Sequence, residues 1–218
     1  MDDAVDNADL HFFEYVTSKY PNLGIAYPEE IRDALNERVV NSRNRCKDIG
    51  LLRKSILAEY VRKTSYPIEI VDELFDVWRT ERRKTTLMPY ACELIQLLHQ
   101  NGYKIAVITN GTSDLSNHPS INSLIDAFVS PEICGDSKPS VIPFHMVSEI
   151  IGVFDPRIYL HVGDSYETDV LGAMCAGWNS VLITKKPTIE YVCPPSLIVR
   201  SLDELYFMFK EALESCSI

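Results

Sequence analysis

From Pro89 onward, short apolar runs alternate with segments of helical periodicity, and this alternation restricts the possible folds more than any other feature of the chain. The predicted strands cover residues 104–108, 127–129, 158–162, 180–184 and 197–199. The predicted helices that flank them cover residues 90–100, 140–151, 168–176 and 202–214. Strands that alternate with helices form a parallel sheet with both faces covered. The sequence therefore predicts an α/β fold.

The chain before Pro89 has a different pattern, with helical periodicity and almost no strand signal between residues 8 and 83. Pro28-Glu29-Glu30 is typical of a helix start, because proline suits the first turn and acidic side chains complement the helix dipole. Apolar residues recur at helical spacing on both sides of this point. We therefore predict a set of amphipathic helices ahead of the sheet.

Length and composition favour one domain, or one domain with a sizeable insertion. The 218 residues are 46% hydrophobic and 24% charged, an ordinary balance for a protein with a buried core. The formal net charge is −10. Because nucleic acids and anionic membrane surfaces attract basic proteins, we expect neither as a partner.

The apolar runs, such as residues 104–109, are too short to span a bilayer. The first residues lack the basic and apolar regions of a secretory signal. Six cysteines lack the spacing of a zinc site or a CxxC pair, at positions 46, 92, 134, 175, 193 and 216. We therefore expect reduced thiols without a metal or redox role. We also expect a cytoplasmic protein that is a monomer or a homodimer.

Polar groups occupy the places where a parallel sheet binds ligands, beyond the carboxyl ends of its strands and at helix N-termini. Thr109-Asn110-Gly111 closes one predicted strand, Asp164 follows another, and Lys138 precedes the helix at 140–151. The lysine and the hydroxyl and N–H donors suit phosphoryl oxygens. Asp164 suits Mg²⁺, which needs few carboxylates because it keeps most of its water ligands. These residues predict a phosphate and magnesium site.

Each of these residues also has a structural explanation when taken alone. Thr109-Asn110-Gly111 is typical of a turn, and Lys138 of a solvated surface. Gly163-Asp164-Ser165 is typical of an N-cap, and Asp169 of a first-turn acid that stabilises the helix dipole. His161 lies between apolar residues, which favours a packed core histidine over a base. The order and spacing of these residues as a group favour a functional site over these separate structural explanations.

Three of these segments resemble, in order, motifs of the haloacid dehalogenase-like phosphohydrolase superfamily. Ile105-Ala-Val-Ile-Thr109-Asn110-Gly111 resembles the second motif, an apolar strand that ends in Thr or Ser. Lys138-Pro139 resembles the third motif, and Gly163-Asp164-Ser-Tyr-Glu-Thr-Asp169 the fourth. The resemblance covers roughly residues 8–213.

The resemblance implies a Rossmann-like parallel sheet with helices on both faces and an α-helical cap. The cap would comprise residues 8–84, and the phosphohydrolase core residues 1–7 and 85–218. The implied activity is that of a Mg²⁺-dependent phosphatase of a small phosphorylated metabolite, such as a nucleotide, a flavin precursor or a sugar phosphate. The reaction would pass through an aspartyl-phosphate.

The resemblance also implies roles for individual residues. Thr109 and Asn110 would bind the transferring phosphoryl group, and Lys138 would neutralise it. Asp164 would ligate Mg²⁺. Asp169 would orient Lys138 or the metal shell.

The first family motif, D-x-D-x-[TV], carries the nucleophilic Asp and then the general acid/base. Met1-Asp2-Asp3-Ala4 resembles the end of this motif, with Asp2 as the catalytic acid/base and Ala4 in place of the usual Thr. The nucleophile and its strand would then lie upstream of Met1. We therefore expect the first central strand of the sheet to be missing from this sequence.

Two other functions stay open. A catalytically inactive binding or regulatory protein would keep the phosphate pocket without the nucleophile. Dehalogenase or phosphonatase chemistry on the same fold is disfavoured, because the acidic fourth motif suits a metal ion and no lysine of the helical segment is assignable to a Schiff base.

Overall fold

The computed structural model describes residues 2–41, 49–83, 87–111, 115, 118–185 and 191–215. The chain forms two compact units. The first comprises Met1–Thr86 with Gly111–Asn117, and the second comprises Leu87–Asn110 with His118–Ile218.

The first unit is helical. Its four long helices are α1 (Asp2–Lys19), α2 (Glu30–Asn41), α3 (Ile49–Arg62) and α4 (Ile70–Arg83). Helix α4 packs against α1 and α3, and α3 also packs against α2. Each helix contributes an apolar stripe to one core, whose fully buried members include Phe12, Val16, Ile56, Leu57 and Leu74. Burial of these stripes stabilises helices that would be marginal in isolation.

The second unit alternates helices and strands, as predicted. Its helices are α5 (Ala91–Gln100), α6 (Pro119–Asn122), α7 (Pro131–Cys134), α8 (Ile142–Ile151), α9 (Leu171–Cys175) and α10 (Leu202–Ser215). Its strands are β1 (Ala106–Ile108), β2 (Ala127–Val129), β3 (Leu160–Gly163), β4 (Asn179–Ile183) and β5 (Leu197–Val199). The predicted α/β class is confirmed.

The described strands form two separate parallel sheets, ordered β1-β2 and β3-β4-β5, with Leu160 of β3 opposite Asn179 of β4. Within the described ranges, no strand pairs with the second edge of β1 or of β3. Leu160 and Val162 on β3 are 42% and 36% exposed, whereas Val181 on β4 is buried. An interior strand of a parallel α/β sheet normally buries both faces. Among the described residues β3 is therefore an edge strand, and the exposure of Leu160 and Val162 agrees with that position.

Helix α8 joins the two sheets through a common core. Its Phe144 is fully buried in one cluster with Ile108 of β1, Val129 of β2 and Trp178. The rings of Phe144 and Trp178 meet edge to face, with their centroids 5.3 Å apart. A Cβ at Gly172 on α9 would lie 3.0 Å from the Phe144 ring, so glycine permits this approach.

The sequence pattern located most elements but not the irregular ones. The bounds of β2 and β5 agree with the prediction, whereas α6 and α7 were not predicted because a single turn carries no periodicity. A π-helical turn, Tyr166–Val170, leads into α9 and replaces the start of the helix predicted at 168–176. The assignment of residues 8–84 as a cap stays a prediction.

The structure bears on two further expectations, about the cysteines and about membrane-spanning helices, within the residues that it describes. The cysteines at positions 92, 134, 175 and 193 are free thiols, while Cys46 and Cys216 lie outside the described residues. None of the described helices is both long and apolar enough to cross a membrane.

Candidate active site

The side chain of Asn110 links the end of β1 to the loop that carries Lys138. Its Oδ1 accepts a hydrogen bond of 2.8 Å from the Lys138 backbone N–H, and its Nδ2 donates one of 2.8 Å to the Lys138 carbonyl oxygen. Two bonds from one planar amide fix both the position and the orientation of the lysine backbone. The sequence predicts that Asn110 binds phosphate; in the structure its amide binds the Lys138 backbone instead.

Lys138 forms a buried ion pair with Asp169. The lysine Nζ lies 2.5 Å from Asp169 Oδ1, and the side chains are only 11% and 6% exposed. The Ser165 backbone N–H donates to Asp169 Oδ2 at 3.0 Å. Charge-assisted bonds of this kind are stronger than neutral ones, so they fix the ammonium at the end of the sheet. The predicted proximity of Lys138 and Asp169 is present in the structure.

His161 contributes a further contact to the same carboxylate. Its Nε2 lies 3.0 Å from Asp169 Oδ1, and its ring packs edge to face on Phe144 with centroids 5.1 Å apart. The expectation of a packed histidine agrees with this position, but its contact with Asp169 was missed. The sequence feature that could have indicated this contact is the spacing of eight residues between His161 on β3 and Asp169 in the turn that follows.

The network controls the charge of its members. Burial tends to raise the pKa of Asp169, but the bonds from His161, Lys138 and Ser165 hold the pKa of that carboxyl well below its usual range. Burial lowers the pKa of His161, and the Lys138 charge lowers it further, against the opposing effect of Asp169. At neutral pH the imidazole is therefore neutral and Asp169 is a carboxylate. Of the two neutral tautomers, only the one protonated at Nε2 can donate to that carboxylate.

Acidification should weaken the fold through His161. The unfolded chain binds a proton near the ordinary histidine pKa of 6.5, whereas the folded chain binds it only at lower pH. The free energy of unfolding should therefore fall as pH drops from 7 to 5, with up to about 1.4 kcal/mol per pH unit from this group. The low pKa of Asp169 adds a further loss below its ordinary value of 3.8.

Urea unfolding at several pH values measures this slope. His161→Gln should flatten it between pH 7 and 5, whereas the matched change at the exposed His145 of α8 should leave it in place. An equal slope in the wild type and in His161→Gln would contradict the assignment.

Gly163 ends β3 where no side chain fits. A Cβ there would overlap the side chain of Asp169, and the nearest atom would be the carboxyl carbon. Gly163→Ala should therefore displace the carboxylate from Lys138 and lower the free energy of unfolding by roughly 1–3 kcal/mol, the usual cost of overpacking. Chemical denaturation measures this loss, and stability equal to that of the wild type would show that the turn relaxes freely.

Asp164 lies one residue beyond β3 and its side chain is exposed. No hydrogen bond or ion pair to this carboxylate is found among the described residues, which leaves its oxygens available to a cation. The described residues contain no group of three or more His, Cys, Asp or Glu side chains placed to hold a metal ion. Asp164 fits Mg²⁺ as a single hard ligand, and other oxygen donors must complete the shell.

The two remaining predicted residues differ in what the structure describes. Thr109 directly follows β1 and its backbone N–H donates to the Val129 carbonyl oxygen at 3.0 Å, which continues the parallel ladder. Its position at the carboxyl end of the strand agrees with the prediction. Asp2 is the first residue of α1, and its side chain lies outside the described part of the chain.

Comparison with known protein families agrees with this geometry. The family model described as haloacid dehalogenase-like hydrolase matches residues 13–177, which is most of the chain and includes the Lys138–Asp169 pair. The chain belongs to this family.

Two similar proteins are named as a phosphatase and a nucleotidase. A phosphoserine phosphatase of Thermus thermophilus is 28% identical over 164 residues, which cover 72% of this chain and 65% of that protein. The pyrimidine 5'-nucleotidase YjjG of Escherichia coli is 34% identical over 128 residues, which cover 55% of each protein. The chain thus spans about half to two thirds of the length of these relatives.

A solved structure supports the fold. The 2-haloacid dehalogenase of Pseudomonas syringae pv. Tomato DC3000 superposes with a TM-score of 0.78 at 21% identity, covering 95% of this chain and 91% of that one. At this level of identity the likeness concerns architecture, and the reaction must be argued from the site.

Proposed function

We propose that the full-length form of this protein, with a nucleophilic Asp ahead of Met1, is a Mg²⁺-dependent phosphatase. Its substrate would be a small phosphorylated metabolite, such as a nucleotide, a flavin-precursor or a sugar phosphate. The observation that carries the proposal is the buried Lys138–Asp169 pair, fixed by Asn110 beside the end of β1 and by His161 on β3. The names of the two relatives support a phosphate monoester as substrate.

In the proposed reaction, Lys138 neutralises the phosphoryl oxygens, while Asp169 holds the ammonium in place. Asp169 is a positioning residue, because it would act through Lys138. Thr109 would donate its hydroxyl hydrogen to a phosphoryl oxygen from the end of β1. A fixed cation and fixed donors act strongly because they need little reorganisation when charge develops.

Asp164 would hold the Mg²⁺ ion, with water and phosphoryl oxygens as further ligands. When bound, the ion would polarise the phosphoryl group as a Lewis acid. Because the Asp164 carboxylate is exposed, ligand exchange at this position requires no opening of the core.

The proposed route also needs a carboxylate nucleophile and a proton donor for the leaving group. We propose Asp2 as the acid/base. The free edges of β1 and β3 support an additional strand that would carry the nucleophile to the same end of the sheet.

Calorimetric titration of the purified chain with inorganic phosphate, with and without Mg²⁺, tests the phosphate and metal site without requiring turnover. Affinity should rise with Mg²⁺, and Lys138→Met and Asp164→Asn should each lower the Mg²⁺-dependent affinity roughly tenfold or more. Lys104→Met is a matched control, because Lys104 is exposed and pairs with Asp126 away from this network. Mg²⁺-independent binding that both variants retain would contradict the proposal.

One observation also favours a catalytically inactive binding protein. Among the described residues at the strand ends, Asp164 is the exposed carboxylate, whereas Asp169 is buried and engaged. Such a protein would show the same Mg²⁺-dependent phosphate binding, but it would not hydrolyse esters when a nucleophile is supplied.

A further inference from the structure

Three arginines surround one buried carboxylate within the helical unit. Asp9 of α1 is 4% exposed, and its Oδ2 lies 3.1 Å from Arg32 Nη1 on α2. Arg53 of α3 and Arg82 of α4 lie close enough to Asp9 for their charges to act on it. We call Asp9, Arg32, Arg53, Arg82 and Trp78 the arginine cluster. It draws one or two residues from each of the four helices.

Trp78 holds two of the guanidinium groups. The Arg53 Cζ lies 3.4 Å from the centroid of the Trp78 ring, and the Arg82 Cζ lies 5.5 Å from it. Both distances are within the range of cation–π attraction. Stacking occupies the flat face of a guanidinium and leaves the N–H groups at its edge available for hydrogen bonds.

The cluster contains more positive than negative charge. Arg53 is 6% exposed, and its buried Nε has no hydrogen-bond partner among the described residues. No carboxylate in the same part of the chain forms an ion pair with Arg53 or Arg82. Burial and the neighbouring Arg82 charge lower the pKa of Arg53 to about 9, which leaves it cationic at neutral pH. Burial of a charge is costly unless the charge is paired, and an unpartnered donor adds to the cost. A bound anion would remove both penalties.

We infer that the arginine cluster is a binding site for a small oxyanion, the carboxylate or phosphate group of a small molecule, with Arg53 Nε and the Arg82 guanidinium as donors. The N–H groups at a guanidinium edge match the spacing of two oxygens of a carboxylate or phosphate group. A halide ion has no such pair of oxygens. The site belongs to the helical unit alone and does not depend on the proposed phosphatase reaction.

Side-chain NMR of the arginine Nε–H groups in the whole 218-residue chain tests the inference. Titration with inorganic phosphate and, separately, with malonate should shift the Arg53 resonance to saturation with at least one of them. Arg82→Gln should lower the affinity roughly tenfold or more, as expected for a lost charged hydrogen bond. Arg79→Gln is the matched control on the same helix, because Arg79 is 41% exposed and pairs with Asp76. It should change the affinity less than twofold.

The outcomes separate this site from the Lys138 site. The Arg53 shift should persist in Lys138→Met and without Mg²⁺, whichever of the two anions binds. The absence of a saturable Arg53 shift with both anions would overturn the inference, and so would an equal loss of affinity in Arg79→Gln and Arg82→Gln. The wild-type titration remains decisive even when an arginine variant fails to fold.

Discussion

Asp169→Asn should lower the free energy of unfolding by roughly 3–5 kcal/mol, the usual cost of removing one partner from a buried ion pair. The change would leave the Lys138 ammonium without a carboxylate in a site where the lysine side chain is 11% exposed. It would also replace an acceptor of three hydrogen bonds, from Lys138, His161 and Ser165, with an amide of lower capacity. Urea unfolding at pH 7 measures the loss.

Asp72→Asn is the matched control for this prediction. Asp72 pairs with Lys54 through one contact of 2.7 Å, but it is 76% exposed. Exposed ion pairs contribute at most about 1 kcal/mol, so the control should lose little stability. An equal loss of unfolding free energy in Asp169→Asn and Asp72→Asn would contradict the prediction that the buried pair contributes more than the exposed one.

The second large effect concerns catalysis. Residues 1–218 alone should show negligible Mg²⁺-dependent hydrolysis of an aryl phosphate. The same chain preceded by an apolar strand that ends in Asp directly before Met1 should be faster by several orders of magnitude. The physical reason is that the route through an aspartyl-phosphate requires a nucleophilic carboxylate, while Lys138 and Asp164 only position and polarise the substrate.

The extension has a matched control in which Asn replaces its terminal Asp. This control supplies the same strand to the free edges of β1 and β3 without a nucleophile. It should fold as well as the Asp form and remain inactive. Activity of the Asn form comparable to that of the Asp form would contradict the assignment of a covalent route.

The elements that position the site were predictable because their signals are local. The apolar run that ends at Thr109 and the run before Gly163-Asp164 each predict a strand, and the polar residues at their ends follow from parallel pairing. The position of Lys138 before a helix and that of Asp169 after a strand predict that both lie at one rim of the sheet. Their ion pair depends on a hydrogen-bonded loop that periodicity does not encode.

Other features depend on contacts between distant parts of the chain, which a single sequence does not show. The Asn110 amide was predicted to bind phosphate, yet it holds the Lys138 backbone, and both interpretations fit a turn after a strand. In the sequence, Asp9 is one of several acidic residues near the start, and Arg53 has the position of an ordinary helix residue. Only the packing of four helices places them in one cluster.

The most direct test of the central claim is the rate of aryl phosphate hydrolysis by the Asp-extended chain, measured with Mg²⁺, with a chelator and in the Asp164→Asn variant. Phosphatase function with Asp164 as a magnesium ligand predicts turnover that requires Mg²⁺ and is lost in Asp164→Asn. Robust turnover by residues 1–218 without the extension, insensitive to the chelator and to Asp164→Asn, would contradict both the metal assignment and the need for an additional nucleophile.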